Sequence, residues 1–224
     1  MPDPAVGSNA MHPVRAVAFD FNGTLSDDEP ILLSIYQELF AEHGRPLAPA
    51  DYYGTLAGHS EEEIIGRWLA VDGEALAGLV EERIERYLER CRDGASIPQA
   101  VRDAVAYAAE RVPVAVVSGA FRREIEPVLR GAGLARHLTA VVSADDVEHG
   151  KPAPDGYVRA LGLLGGVAPG EVVAFEDTEA GVTSAKGAGL RCIGVVGTHP
   201  PERLRAADAL VDAIDTAVVA GLFA

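Results

Sequence analysis

The chain has 224 residues, enough to bury a sizeable core, and its hydrophobic share of 48% is typical of a globular protein in water. Its net charge of −15 argues against nucleic acid or an anionic membrane as a partner, since either would be repelled. No stretch approaches the roughly 20 apolar residues of a membrane-spanning helix, and residues 1–15 lack the apolar core of a signal peptide. We therefore expect a cytoplasmic protein, by default a monomer, in which residues 1–11 are a disordered N-terminus or an expression remnant.

Short apolar runs alternate with amphipathic segments along most of the chain. The runs are rich in Val, Ala, Ile and Phe, as in strands buried on both faces, and lie at 14–20, 113–118, 139–142, 172–175, 191–196 and 209–211. The segments between them predict helices at 98–111, 122–132, 154–165, 178–188 and 201–206, with a last one near 213–222. This βαβ repetition predicts an α/β fold with a doubly wound parallel sheet.

One connection is much longer than the others. Roughly seventy residues separate the first strand from Ile97, whereas an ordinary crossover is far shorter. The segment contains no convincing strand, and its pattern predicts helices at 30–43, 60–71 and 74–92 around a loop at 45–58. We therefore predict a catalytic core formed by residues 12–25 and 97–224, with an all-helical cap inserted at residues 26–96.

Polar groups stand where the predicted strands run out, and the active sites of such sheets lie at these carboxyl ends. The groups are Asp20, Ser118-Gly119, Lys151 in a loop ahead of a helix, and Glu176-Asp177. Each alone is more often a turn former or a helix cap, but four such groups at one edge of one sheet favour a joint function. Nucleotide binding is the competing use of this sheet, but neither of its glycine-rich phosphate motifs follows the first strand.

These residue types are the ones that phosphoryl transfer needs. A strand end holds Asp20 rigidly, which suits a carboxylate nucleophile that becomes an aspartyl-phosphate. A divalent cation between Asp20, a phosphate oxygen and Asp177 would remove the repulsion between two anions, and Mg²⁺ is the natural ion for a few hard oxygen ligands. Ser118 would donate a hydrogen bond to the phosphoryl group, and Lys151 would add a positive charge beside it.

Further substrate contacts are expected from a turn in the core and from the cap. The backbone N–H groups around Gly23 and Thr24 would form an anion cradle, and Gly119 follows Ser118 directly. In the cap, His59 follows a glycine turn and is a candidate because imidazoles commonly exchange protons in enzymes, although a solvated loop histidine is the commoner case.

The motifs resemble those of the haloacid dehalogenase superfamily, chiefly its phosphatases and sugar-phosphate mutases with a helical cap. The similar segments are 19–25, 116–119, 151–155 and 175–189, and the forms of the last two are similar to the β-phosphoglucomutase and phosphoglycolate phosphatase group. The resemblance implies a Rossmann-like core, Mg²⁺ and phosphorylation of Asp20. It also implies a metal held by Asp20, the backbone carbonyl of Asn22, Asp177 and, directly or through water, Glu176.

Asn22 departs from the family pattern, which has an aspartate there as general acid and base. An amide cannot carry that proton, and general acid–base help is worth roughly 10²–10⁴-fold in rate. We therefore expect a slow Mg²⁺-dependent phosphohydrolase of a small phosphorylated metabolite, such as a sugar phosphate. Three alternatives to a slow enzyme are open: His59, Asp27 or Asp28 swings in to replace the acid, the Asn22-Gly23 pair deamidates, or Asn22 is engineered.

Two alternative functions follow from the same residues. A phosphosugar mutase of the β-phosphoglucomutase type would use the same site but would need the cap to retain an intermediate. A phosphate-ligand binding protein would keep the fold and the metal site without turnover, which Asn22 favours and the intact Asp20 and Lys151 oppose.

Overall fold

The computed structural model describes residues 13–224, so the prediction for residues 1–11 lies outside the described part. Six parallel strands form one sheet in the order β3-β2-β1-β4-β5-β6. Their bounds are β1 (Ala16–Phe19), β2 (Val114–Val117), β3 (Ala140–Val142), β4 (Val172–Glu176), β5 (Arg191–Val195) and β6 (Ala209–Val211). The predicted parallel α/β sheet is confirmed, and each strand lies where its apolar run predicted it.

Helices cover both faces of the sheet. Along β1, Val17 and Phe19 belong to one apolar cluster, whereas Ala16 and Ala18 belong to the cluster on the opposite face. The covering helices are α5 (Gln99–Ala109), α6 (Arg122–Gly131), α7 (Asp155–Leu163), α8 (Glu179–Gly187) and α9 (Thr216–Ala220). The segment predicted as a helix at 201–206 is a shorter 3₁₀ turn at Pro201–Leu204. Burial on both faces explains why the strands are continuous apolar runs.

The long connection after β1 is helical throughout its ordered elements. It contains α1 (Glu29–Glu42), α2 (Pro49–Asp51), α3 (Glu61–Leu69) and α4 (Gly73–Cys91). The predicted loop at 45–58 is wrong in part, because α2 continues into a π-helical turn at Tyr52–Leu56. Burial of Tyr52 against Tyr36, with ring centroids 5.8 Å apart, supports this turn through a contact distant in sequence.

The two segments that join these helices to the sheet are bonded to each other. The hydroxyl of Ser26 donates to that of Ser96 at 2.8 Å, and the backbone N–H of Asp27 donates to the carbonyl of Ser96 at 2.8 Å. This crossing point supports our proposed division at 25/26 and 96/97. Among residues 13–224, no helix has the length and apolarity needed to cross a membrane.

Candidate active site

A cavity of about 630 Å³ is lined by the carboxyl edge of the sheet on one side and by cap helices on the other. Asp20, Ser118, Gly119 and Lys151 line it from the core, and His59 lines it from the cap. The strand ends bring these core residues together from segments up to 131 positions apart. The cavity therefore lies where the sequence predicts the active site.

Lys151 connects two carboxylates at the floor of this cavity. Its Nζ forms ion pairs with Oδ1 of Asp20 and, at 2.6 Å, with Oε1 of Glu176, and it also donates to the carbonyl of Val117 at 3.1 Å. The hydroxyl of Tyr157 donates to the same Glu176 oxygen at 2.6 Å. Burial alone would lower the pKa of Lys151, but the charges of Asp20 and Glu176 raise it above its usual range. Lys151 is therefore a fixed positive charge beside Asp20.

Three carboxyl groups converge beside this lysine. One oxygen from each of Asp20, Glu176 and Asp177 lies within 4.8 Å of the others. Glu176 and Asp177 are fully buried, and Oε2 of the first and Oδ2 of the second have no hydrogen-bond partner among the described residues. Burial, followed by the charge of Asp20, raises the pKa of Asp177 well above its usual range. Three converging carboxylates with a single lysine to neutralise them fit a hard divalent cation.

The turn after β1 contacts the acidic cluster at the end of β4. Neither Gly23 nor Thr24 is among the described residues that line the cavity. The N–H of Gly23 donates to the carbonyl of Ser26, and that of Thr24 donates to the carbonyl of Phe21. The Thr24 hydroxyl instead holds Oδ1 of Asp177 at 3.0 Å. The structure thus shows both residues at the acidic cluster, and their contact with substrate stays a prediction.

Gly23 is needed for the close approach of this turn to β4. Its φ is +72°, and a Cβ placed there would lie 2.1 Å from Oδ2 of Asp177 and 2.6 Å from Oγ1 of Thr198. Any side chain would displace the carboxylate, in addition to the backbone strain at this φ. Thr198, which follows β5, is a neighbour of the cluster that the motif analysis did not include.

Ser118 and His59 occupy contrasting positions at the cavity. Ser118 is buried, and its Oγ accepts a hydrogen bond from the N–H of Ala120 at 3.1 Å, which leaves its own proton free to donate. His59 is 40% exposed and lies at the rim, with Nδ1 3.1 Å from Oε2 of Glu63. The preceding Gly58 approaches the side chain of Thr178 in the core, where a Cβ would lie 3.3 Å from Cγ2. The cap loop thus faces the core as expected.

Asn22 lines the cavity, and its amide side chain is bonded to the cap junction. Nδ2 donates to Oδ2 of Asp28 at 2.9 Å, and the hydroxyl of Tyr87 donates to the same oxygen at 2.5 Å. Asp28 is fully buried, which raises its pKa to about 6, and is absent from the described cavity lining, as is the exposed Asp27. In this structure neither aspartate faces the cavity in place of the missing acid.

Glu29 and Arg83 both line the cavity and are both buried, although no sequence pattern indicated them as site residues. Glu29 begins α1 and follows two aspartates, so its pattern indicates only a charged helix start. Arg83 lies in a run of charged residues on α4 that is typical of a solvated helix face. Only the packing of these helices brings the two side chains to the cavity.

The fold and the site define an α/β enzyme with an acidic cluster at the carboxyl edge of a parallel sheet, covered by helices. The chain belongs to the haloacid dehalogenase-like hydrolase family, whose model matches residues 14–189. The predicted family resemblance is therefore confirmed, including its enzyme class.

Individual proteins support the same assignment. The chain is 31% identical over 215 residues to validoxylamine A 7'-phosphate phosphatase of Streptomyces hygroscopicus subsp. limoneus, covering 88% of this chain and 92% of that protein. The crystal structure of CbbY from Rhodobacter sphaeroides in complex with phosphate matches with a TM-score of 0.80 and 29% identity, covering 89% of this chain and 94% of that one. β-Phosphoglucomutase of Clostridium difficile matches with a TM-score of 0.80 over 94% of this chain and 97% of that one, and at 19% identity it shows the shared fold.

Proposed function

We propose that the protein is a Mg²⁺-dependent phosphatase of a small phosphorylated metabolite and that Asp20 is its nucleophile. The observation that carries this proposal is the cluster in which Lys151 joins Asp20 to Glu176, with Asp177 within 4.8 Å. The names of relatives support phosphate-ester hydrolysis as the reaction class.

The substrate class follows from the cavity walls. Besides the cluster, the lining contains Ser118, His59, Arg83 and several glutamates, so hydrogen-bonding groups surround the space. A volume of about 630 Å³ accommodates a monosaccharide-sized phosphate. A polar, polyhydroxylated phosphate ester, such as a sugar phosphate, is therefore the proposed substrate.

The chain's own residues perform the first step as follows. Oδ of Asp20 attacks phosphorus, the bond from phosphorus to the leaving oxygen breaks, and an aspartyl-phosphate forms on Asp20. Lys151 and the hydroxyl of Ser118 hold the phosphoryl oxygens during this transfer. Water then attacks the phosphoryl group, which releases inorganic phosphate and restores Asp20.

The residues that would hold Mg²⁺ are Asp20, Asp177 and the backbone carbonyl of Asn22. The unpartnered Oδ2 of Asp177 supports this set. Glu176 would act directly or through water, and its Oε1 is also used to hold Lys151. Bound Mg²⁺ would supply neutralisation of the charge that accumulates between the carboxylates and the phosphate.

The test is phosphate release from sugar phosphates and from p-nitrophenyl phosphate with Mg²⁺ present, beside the variant Asp20→Asn. We expect turnover by the wild type, a loss on the order of 10⁴- to 10⁶-fold in the variant, and loss with EDTA that Mg²⁺ restores. Intact-mass measurement should detect the phosphoenzyme in the wild type alone. Equal activity of wild type and variant would refute the proposal.

The other two functions are outcomes of the same assay. An isomeric sugar phosphate formed without inorganic phosphate would assign a mutase. Binding of a phosphate ester with neither turnover nor phosphoenzyme would assign a binding protein. A mass spectrum of the peptide containing Asn22 separates asparagine from deamidated aspartate in the same sample.

A further inference from the structure

The proposed phosphatase lacks a proton donor in the usual place, because Asn22 cannot carry a proton. An alkyl phosphate nevertheless needs one, since its leaving alkoxide is a poor leaving group without protonation. Apart from Asp20, the carboxyl groups that line the cavity among the described residues are Glu29, Glu61, Glu62, Glu63 and Glu148. These five carboxyl groups are therefore the candidates for a general acid.

Glu29 differs from the other four in burial and in its partners. Glu62, Glu63 and Glu148 are exposed, and Glu61 is buried but lies 3.5 Å from the guanidinium of Arg83. Glu29 is 9% exposed, and within residues 13–224 no Lys, Arg or His nitrogen lies within 4.0 Å of its carboxyl. A buried carboxyl without a cationic partner is the one most readily kept protonated.

The two oxygens of Glu29 have different surroundings. The hydroxyl of Tyr52 donates to Oε2 at 3.0 Å and fixes the orientation of the carboxyl. Oε1 makes no hydrogen bond to the described residues, and it is not one of the fully buried unpartnered oxygens, so it opens to the cavity. One oxygen is therefore held and the other is free to carry a proton toward a ligand.

We propose that Glu29 is the general acid and base of this enzyme and takes over the proton transfer that Asn22 cannot perform. This inference rests on the proposed phosphatase function and adds a second catalytic residue to it. Glu29 begins α1 and lines the same cavity as Asp20 and Asn22, so its carboxyl is placed at the space that would hold the substrate.

The electrostatic surroundings support this role. Burial, and next the charge of Asp28, raise the pKa of Glu29 to about 7. The Tyr52 hydrogen bond lowers it, the charge of Asp20 raises it further, and Arg83 lowers it. These groups come from α1, the π-helical turn, β1 and α4, and together they leave the carboxyl near the pH at which a proton is both given and taken efficiently.

The proton balance of the two steps is complete. While Asp20 attacks phosphorus, the protonated Glu29 gives its proton to the departing alkoxide, which leaves as an alcohol. The resulting Glu29 carboxylate then accepts a proton from the attacking water as the bond between phosphorus and Asp20 breaks. Inorganic phosphate leaves, and both side chains return to their starting states.

The other proposed substitutes fit less well. Both oxygens of Asp28 are already occupied, Oδ1 by the N–H of Gly23 at 3.3 Å and Oδ2 by Asn22 and Tyr87. His59 is at the exposed rim and is bonded to Glu63. Neither holds a free, buried proton donor toward Asp20.

The test compares Glu29→Gln with the wild type on two leaving groups. The alkyl substrate is the sugar phosphate that the wild type hydrolyses fastest, and the acidic one is p-nitrophenyl phosphate. We expect the variant to lose roughly 10²–10⁴-fold on the sugar phosphate. With p-nitrophenyl phosphate the burst of p-nitrophenolate should remain, because that leaving group needs no acid, while phosphoenzyme accumulates because water lacks its base.

A second substitution that restores activity distinguishes a catalytic role of Glu29 from a structural one. Adding Asn22→Asp to Glu29→Gln places a carboxyl at the opposite wall and should restore sugar-phosphate hydrolysis. Glu42→Gln is the matched control, since it makes the same change at the exposed end of α1 and should leave activity unchanged. Thermal unfolding of each variant verifies that it is folded.

The outcomes are distinct from those that test the phosphatase itself. Glu29→Gln with wild-type activity on the sugar phosphate would overturn the role of Glu29. Equal losses on both leaving groups, with no rescue by Asn22→Asp, would also overturn it and indicate a structural role. Phosphate release by the wild type that does not depend on Asp20 would refute the phosphatase, and the role of Glu29 with it. If Glu29→Gln does not fold, Tyr52→Phe replaces it, and an unchanged ratio of sugar-phosphate to p-nitrophenyl phosphate activity would count against the role.

Discussion

The two walls of the cavity have the same charge pattern but build it from different elements. On the core side, Lys151 lies between Asp20 and Glu176, and Asp177 remains beside them. On the other side, Arg83 of the cap pairs with Glu61 of the cap and with Glu124 of the core helix α6, and Glu29 lines the cavity without an ion pair among the described residues. At or behind each wall there is thus one cation, two carboxylates paired with it and one further carboxyl.

The two sides differ in the surroundings of the carboxyl that is left outside the ion pairs, which is Asp177 on one side and Glu29 on the other. Asp177 has an unpartnered oxygen within a cluster of three acids, which suits a metal ion. Among the described residues, no Lys, Arg or His nitrogen lies within 4.0 Å of the Glu29 carboxyl, and this favours its protonated form. The same excess of negative charge therefore favours metal binding on a rigid sheet edge and proton transfer at a helix start.

Breaking the ion pair between Arg83 and Glu124 should have the largest effect on stability. Arg83→Met leaves Glu124 fully buried without its partner, so we expect a loss of about 3–5 kcal/mol in the free energy of unfolding. Urea unfolding monitored by circular dichroism measures it. The double variant Arg83→Met with Glu124→Leu should recover part of the loss, because Glu124 is then removed while the buried Glu61 still lacks its partner. A single variant as stable as the wild type would contradict the inferred pair.

The protonation of Glu29 in the folded state should make the free energy of unfolding depend on pH. Folded Glu29 holds its proton up to about pH 7, whereas an unfolded glutamate releases it near 4.5, so the folded state binds more protons between these values. Its contribution is therefore present below pH 4.5 and is lost as the pH rises to 7. At about 1.4 kcal/mol per pH unit, the stability of the wild type relative to Glu29→Gln should fall by up to about 3 kcal/mol across this range.

This measurement is made in EDTA, so that metal binding does not contribute. The free energies of unfolding of both proteins are compared at pH 4.5, 5.5, 6.5 and 7.5 by urea titration. A difference that is independent of pH would show that Glu29 has the same pKa in the folded and unfolded states and would count against its assignment as the acid.

Adding a side chain at Gly23, beside Asp177, should weaken Mg²⁺ binding more than it lowers the stability of the fold. Gly23→Ala places a Cβ 2.1 Å from Oδ2 of Asp177, so we expect the Mg²⁺ concentration for half-maximal activity to rise roughly 10–100-fold. Gly44→Ala is the matched control, because Gly44 has the same φ of +72° but no atom within 4 Å of the added Cβ. If both variants respond alike to Mg²⁺, backbone strain rather than displacement of Asp177 is responsible.

Changing the cavity rim should have the smallest effect. His59 is 40% exposed and its imidazole already contacts Glu63, so His59→Gln should change KM by about twofold and leave kcat unaltered. Steady-state kinetics on the sugar phosphate decide this. A large fall in kcat together with an altered pH profile would instead assign the proton transfer to His59.

Much of the core could be predicted because its residues obey the geometry of a parallel sheet. The apolar runs indicated six strands, and the carboxyl ends of adjacent parallel strands necessarily meet at one edge. Asp20 and Glu176 therefore converge whatever the details of packing, and Lys151 reaches them from the loop ahead of α7. The replacement of the usual acid by Asn22 is also visible in the sequence alone.

The cap-side residues could not be predicted in the same way. A helix presents residues around its whole circumference, and which face is buried depends on the neighbours against which it packs. Arg83 lies among charged residues on α4, yet it is buried, because Glu124 of α6 and Glu61 of α3 meet it there. The helical turn at Tyr52–Leu56 likewise depends on a distant aromatic contact.

The sequence by itself determined the parallel sheet, the helical insertion, the family and the polar strand ends, because these depend on local periodicity and on the rules of strand connection. Only the tertiary structure decided that Glu29 opens to the cavity, that Gly23 and Thr24 support Asp177, and that Arg83 is buried between two helices and the core. These features depend on how helices are seated on a sheet, which is fixed by packing between residues far apart in the chain.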